Sequence, residues 1–96
     1  MSLDIVKSHL ANKKYDAIFI NDNGDIKIVP FGATGYSDYT IHRDKRRRQL
    51  YINRHSKNED WDNPLTAGSL SRWILWGDSV SLEINIKNFK RKFNLI

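Results

Sequence analysis

The chain has 96 residues, 40% apolar and 11% aromatic, with 16 Lys and Arg against 11 Asp and Glu, a formal charge of +5 and a pI near 9.6. That length makes one domain with a small core, burying about 60% of the surface exposed when unfolded, and the apolar content argues against disorder. Cysteine is absent, which excludes disulfides, thiolate metal sites and cysteine nucleophiles, and no apolar run approaches the roughly 18 residues of a membrane span.

Met1-Ser2-Leu3-Asp4 lacks the basic and apolar regions of a signal peptide. Leu3, Val6 and Leu10 fall at i, i+3, i+7 behind Ser2 as N-cap, which predicts a short helix to about Asn12. Tyr15 to Ile20 reads as a strand. Asn21-Asp22-Asn23-Gly24-Asp25 then tolerates positive φ, and Ile26 to Val29 returns, so a two-stranded hairpin is expected. Pro30, Gly32 and Gly35 make an irregular loop.

A helix starting at Thr40 or Asp44 is expected to run to about Asn58. At 100° per residue, Arg43, Arg46, Arg47, Leu50, Arg54 and Lys57 share one face. Ile41, Arg48, Ile52 and His55 lie opposite, with Tyr51 at the border. Leu50 within the basic stripe and Arg48 on the packing side are awkward, so either the helix is irregular or both make specific contacts. Asn63-Pro64 and Gly68 mark residues 59–68 as a loop, and Ser69 to Trp76 is a short apolar helix. Val80, Leu82, Ile84 and Ile86 alternate like a strand. Leu82, Ile86, Phe89, Phe93 and Ile96 trace one helical face, which covers more residues and favours helix.

The charge is local. Between Arg43 and Lys57 stand seven basic residues and one acidic residue, whereas the remainder holds nine basic and ten acidic. A second knot, Lys87, Lys90, Arg91 and Lys92, lies near the C-terminus, and Glu59, Asp60 and Asp62 form an acidic cluster. The stripe has three readings: a nucleic-acid surface, a surface for an acidic protein, or a solvated helix face. Arginine suits planar bidentate partners, carboxylate and phosphate alike. Trp73 and Trp76, at i, i+3, and Trp61 fill a small core or anchor a protein interface. Tyr36 and Tyr39 are candidates for the same role or for stacking on bases.

Catalytic signals are weak. His42-Arg43-Asp44 copies part of the kinase catalytic loop, but Gln49 stands where Asn is needed and the chain is too short. His9, His42 and His55 show no metal-ligand spacing. Phe31-Gly32-Ala33-Thr34-Gly35 lacks the lysine of a phosphate loop. An enzyme built on His55, Glu59 and Asp60 is the third-ranked class, because nothing assembles a nucleophile, a base and an orienter.

Asp38-Tyr39-Thr40, His42-Arg43-Asp44, Tyr51-Ile52-Asn53-Arg54-His55, Glu59-Asp60-Trp61, Thr66-Ala67-Gly68 and Ser71-Arg72-Trp73-Ile74-Leu75-Trp76, taken in order, resemble a family of small uncharacterised proteins of nucleocytoplasmic large DNA viruses. The likeness spans roughly residues 31–93 and leaves out the N-terminal helix and hairpin. It implies a viral source, with the protein in the virion and, during infection, in the host cytoplasm or viral factory. It supplies no active site.

The expected fold is α+β, one domain over 1–96, with helix and hairpin in 1–30 and a mainly helical part in 36–96 around Tyr51, Trp73, Trp76, Phe89 and Phe93. The expected function is non-enzymatic, without cofactor or metal. The leading hypothesis is a minor capsid or internal scaffold protein binding other virion proteins or its own copies. Its candidate binding groups are Arg43, Arg46, Arg47, Arg54, Lys57, Lys87, Lys90 and Arg91, with Tyr39, Trp61, Trp73 and Trp76 as aromatic anchors. The alternative is a DNA-binding or genome-packaging protein using the same cations.

Overall fold

A computed structural model describes all 96 residues. The chain opens with a three-stranded antiparallel sheet, β1 (Ser2–Lys7), β2 (Lys13–Ile20) and β3 (Ile26–Ala33), in the order β1-β2-β3. The helices follow: α1 (Tyr39–His42), α2 (Lys45–His55), α3 (Ala67–Leu70), a π-helical turn over Ser71–Leu75, and α4 (Leu82–Lys92).

The expected N-terminal helix is therefore wrong, and the hairpin is two-thirds of a larger sheet. Three apolar residues at helical spacing were too few to outweigh the sheet register. Leu3 pairs with Phe19 and Ile5 with Ala17, so Leu3 and Ile5 alternate onto the face that holds Val29 and Phe31. Ser2 pairs with Ile20 instead of capping a helix, and Val6 and Leu10 stay exposed. At the outer edge of β1 the Leu3 N–H donates to the Ile96 carbonyl at 3.0 Å, and the Ile96 N–H to that of Met1 at 3.1 Å.

One core joins sheet and helices: Leu3, Ala17, Phe19, Val29 and Phe31 meet Leu70, Ile74, Leu75 and Phe89. The opposite sheet face carries the rows Ser2/Ile20/Ile26, Asp4/Ile18/Ile28 and Val6/Asp16/Pro30. On it Val6, Ile20, Ile26 and Ile28 are exposed.

Of the two starts expected for the central helix, Asp44 holds: Thr40 belongs to the separate short α1, and α2 ends at His55 rather than about Asn58. Arg43 adopts φ +58° and closes α1, its N–H donating to the Tyr39 carbonyl. Asp44 then caps α2, accepting from the N–H groups of Arg46 and Arg47. In the π-helical turn the Trp76 N–H reaches back five residues to the Ser71 carbonyl at 3.0 Å. Ser81 caps α4, and Lys90, Arg91 and Lys92 occupy its last turn, where cations favour the helix dipole. The alternating strand pattern from Val80 is thus not used.

The loop after the π-helical turn is fastened by Asn85. Its amide donates to the carbonyls of Ile74 (2.9 Å) and Ser79 (2.7 Å) and accepts from the Ser79 N–H (3.0 Å). No helix is long and apolar enough to cross a membrane.

Candidate cationic face and cleft

Helix α2 is fixed by its packing side. Tyr51 is buried and stacks on Trp76 with ring centroids 4.2 Å apart and planes 2° from parallel. His55 stacks on the other side of Tyr51 at 4.3 Å, and His42 lies 5.2 Å from Trp76. Four rings from α1, α2 and the end of the π-helical turn thus set the rotation of α2 about its axis.

Arg48 explains its own awkward position. Its Nε donates to the carbonyls of Trp76 and Gly77, its Nη2 to Asp78 at 2.8 Å, and its guanidinium lies over the Tyr39 ring. Ile41, expected on the packing side, is instead exposed.

This rotation turns Arg46, Arg47 and Arg54 of α2 outward, with Arg43 just before the helix and Lys57 just after it. Arg43, Arg46, Arg47, Arg54 and Lys57 are all exposed. The chain's ion pairs use the N-terminal amine, His9, Lys14, Arg48 and His55, so none of those five has a carboxylate partner. The acidic cluster is occupied elsewhere: Glu59 accepts from Trp61 Nε1 at 2.8 Å and contacts His55 Nδ1 at 2.9 Å, and Asp60 accepts from the Asp62 N–H. His55 and Glu59 do meet, but Trp61 takes the second Glu59 oxygen, and the exposed Asp60 turns back on its own loop.

Between α2 and the loop before α1 lies a cleft of about 510 Å³, lined by Ala33, Tyr36, Ser37, Arg47, Leu50, Tyr51, Arg54, His55 and Trp76. Leu50, out of place as a member of a basic stripe, is an apolar part of this wall.

The candidate aromatic anchors face inward. Tyr39 is buried, and Trp61, Trp73 and Trp76 are half-buried. Trp61 and Trp73 meet edge to face at 6.5 Å, and the Trp73 Nε1 donates to the Trp61 carbonyl at 3.0 Å. Arg72, which sequence reasoning missed, lies 4.2 Å over Trp73 and 5.3 Å from the Trp61 ring, with Nη1 donating to the Trp76 carbonyl. Burial, then the nearby Arg48, lowers its pKa. Its spacing of one residue before Trp73 was the available signal.

The C-terminal cations belong to α4, which packs on the π-helical turn. Lys87 and Arg91 are exposed, Lys90 is half-buried, and Lys92 lies 4.4 Å over Trp73. Two buried carboxylates also escaped the sequence reading. Asp38 caps α1 and accepts from Lys14 at 2.7 Å. Asp16 accepts from Ser8 and from the His9 N–H and contacts the His9 ring. Burial pushes the Asp16 carboxyl up, but these hydrogen bonds outweigh it and hold the pKa at about 2.

One model, described as a family of unknown function, matches residues 3–55. The matched segment takes in the sheet apart from Ser2, α1, α2 and every residue of the cleft except Trp76. It overlaps the resemblance to viral proteins only over 31–55 and stops before Trp61. No curated protein and no solved structure matches the chain.

Proposed function

As the chain belongs to the family of unknown function DUF5754, we propose on its geometry that it is a non-enzymatic protein whose α2 binds the phosphate backbone of nucleic acid. The observation that carries this is a set of five exposed cations with no carboxylate partner: Arg46, Arg47 and Arg54 on α2, Arg43 in the junction just before it and Lys57 in the turn just beyond it. Like charges gathered on a face fixed by aromatic stacking repel one another until a polyanion arrives. Phosphates at regular spacing supply that polyanion, and four of the five cations are arginines, which bind phosphate bidentately.

Duplex DNA should bind the full chain at about 50 mM salt. The log–log salt slope should be about −4 to −5 if all five cations engage, at roughly −0.9 per phosphate. Absence of binding at that salt would remove this reading.

The second reading is a virion structural component, a minor capsid or scaffold protein, as the viral resemblance implies. The inward-facing tryptophans do not favour it. The outer sheet face does, because exposed Ile26 and Ile28 beside Val6 and Ile20 resemble a protein contact patch. Purified particles containing the protein in fixed stoichiometry on the shell would support it, and particles lacking the protein would end it.

A further inference from the structure

The cleft beside α2 combines two chemistries. Leu50, Tyr51 and Trp76 give it apolar and aromatic wall, while Arg47 and Arg54 carry permanent charges with no carboxylate partner. Seven residues apart on one helix, these arginines are separated by about 10 Å along its axis. No acidic residue lines the cleft. Its volume of about 510 Å³ falls within the roughly 300–1,000 Å³ typical of small-molecule sites.

Across from α2, Tyr36 is 75% exposed, although a large aromatic ring gains most from burial. Its loop is tied down: the Thr34 N–H donates to the Asn12 carbonyl, and the Thr34 hydroxyl to that of Ala11. An exposed ring on an anchored loop, beside two unpartnered guanidinium groups, suits a flat body carrying negative charge. Bases stacked on aromatic rings with backbone phosphates on arginine have this chemistry. In a duplex the base faces are already stacked, so an available face implies a single strand.

We infer that the cleft is a nucleotide subsite, taking one unstacked base of single-stranded nucleic acid against Tyr36 with its flanking phosphates on Arg47 and Arg54. The inference rests on the phosphate-binding reading of α2 and adds the strand type. Tyr36 supplies the preference for single strands, and the rest of the cationic face binds either form.

The test measures binding of the full chain to three probes at about 50 mM salt: an oligothymidylate, a DNA duplex of the same length, and free adenosine monophosphate. Because Tyr36 is exposed, Tyr36→Ala should leave the circular dichroism spectrum unchanged, and Tyr36→Phe keeps the stacking ring. The expected result is a loss of about 5- to 150-fold in single-strand affinity for Tyr36→Ala, the range of one base–aromatic stack. Duplex affinity should hold, and Tyr36→Phe should bind like the parent. If both nucleic acids bind and Tyr36→Ala changes neither, or both equally, the subsite is overturned while the phosphate-binding face stands. If only the mononucleotide binds, in a Tyr36-dependent way, the subsite stands for free nucleotides and the backbone reading falls. If no probe binds, both fall.

Discussion

Arg48 on α2 and Arg72 in the π-helical turn donate to the same oxygen, the main-chain carbonyl of Trp76, at 3.2 and 2.9 Å. A carbonyl has two lone pairs, and here both receive a charged donor. Arg48 is further held by Asp78, and Arg72 by the Trp61 and Trp73 ring faces. The junction ties α2 to the helices that cover the sheet, so removing Arg72 should be costly. A buried charged hydrogen bond contributes about 1.5–3 kcal/mol and a desolvated cation–π contact up to about 2 kcal/mol. Arg72→Ala should lower stability by about 2–4 kcal/mol in urea unfolding. An unchanged midpoint would show that the junction does not hold the helices together.

Gly77 sits against the Asn85 clamp. A methyl group there would meet the Trp73 carbonyl and approach the Asn85 side-chain carbon to 2.7 Å, whereas one at Gly24 would meet nothing within 4 Å. Gly77→Ala should therefore cost about 3 kcal/mol, at the upper end of overpacking. Gly24→Ala should cost only the positive-φ penalty of about 1 kcal/mol. Asn85→Ala removes three hydrogen bonds and should cost about 2–4 kcal/mol. Thermal unfolding of the three variants checks the ranking, and a Gly24 variant less stable than the Gly77 variant would contradict it.

The carboxyl of Asp16 titrates at about 2 in the fold, below its ordinary value of 3.8. Its stabilising contribution is thus fully present above the unfolded value and is lost as pH falls from about 4 toward about 2. Stability followed by tryptophan fluorescence should drop more steeply across that window in the parent than in Asp16→Asn. Equal slopes would mean that the His9 and Ser8 hydrogen bonds do not hold the carboxylate ionised.

Arg43 bears a positive φ that suits glycine better than arginine. Arg43→Gly should raise stability by about 0.5–1 kcal/mol while lowering the salt slope of DNA binding by about one unit. Weaker binding by a more stable protein separates the function of the stripe from folding. A less stable variant would contradict the strain at Arg43, and unchanged binding would place Arg43 outside the binding face.

The outward turn of Arg46, Arg47 and Arg54 was legible in the sequence because period 3.6 governs α2, whereas Arg43 and Lys57, which that period also put on the face, lie outside the helix. The break at Arg43 was legible only as one of two alternatives: Asp44 stood out as a possible start, but nothing in Ile41-His42-Arg43-Asp44 forbids a continuous helix from Thr40, and the Asp38 cap of α1 decides it. Strand β1 was hidden because Leu3, Val6 and Leu10 mimic a helical period, while Leu3 and Ile5 gain their burial only from the Phe19 and Ala17 register. The cleft was invisible for a related reason. It forms where the 33–37 loop faces α2, a tertiary approach that no local pattern records. Tyr36 and Leu50 stood out singly, and only the fold brings them to one cavity.

The most direct test of the cationic face is a nitrogen–proton NMR titration of the full chain with an oligothymidylate at about 50 mM salt, following backbone amides and arginine side chains. The account predicts shifts concentrated on Arg43, Arg46, Arg47, Arg54 and the 33–37 loop, with Ile26, Ile28 and Val6 on the outer sheet face unmoved. Shifts confined to that outer face, with the arginines of α2 undisturbed, would contradict it.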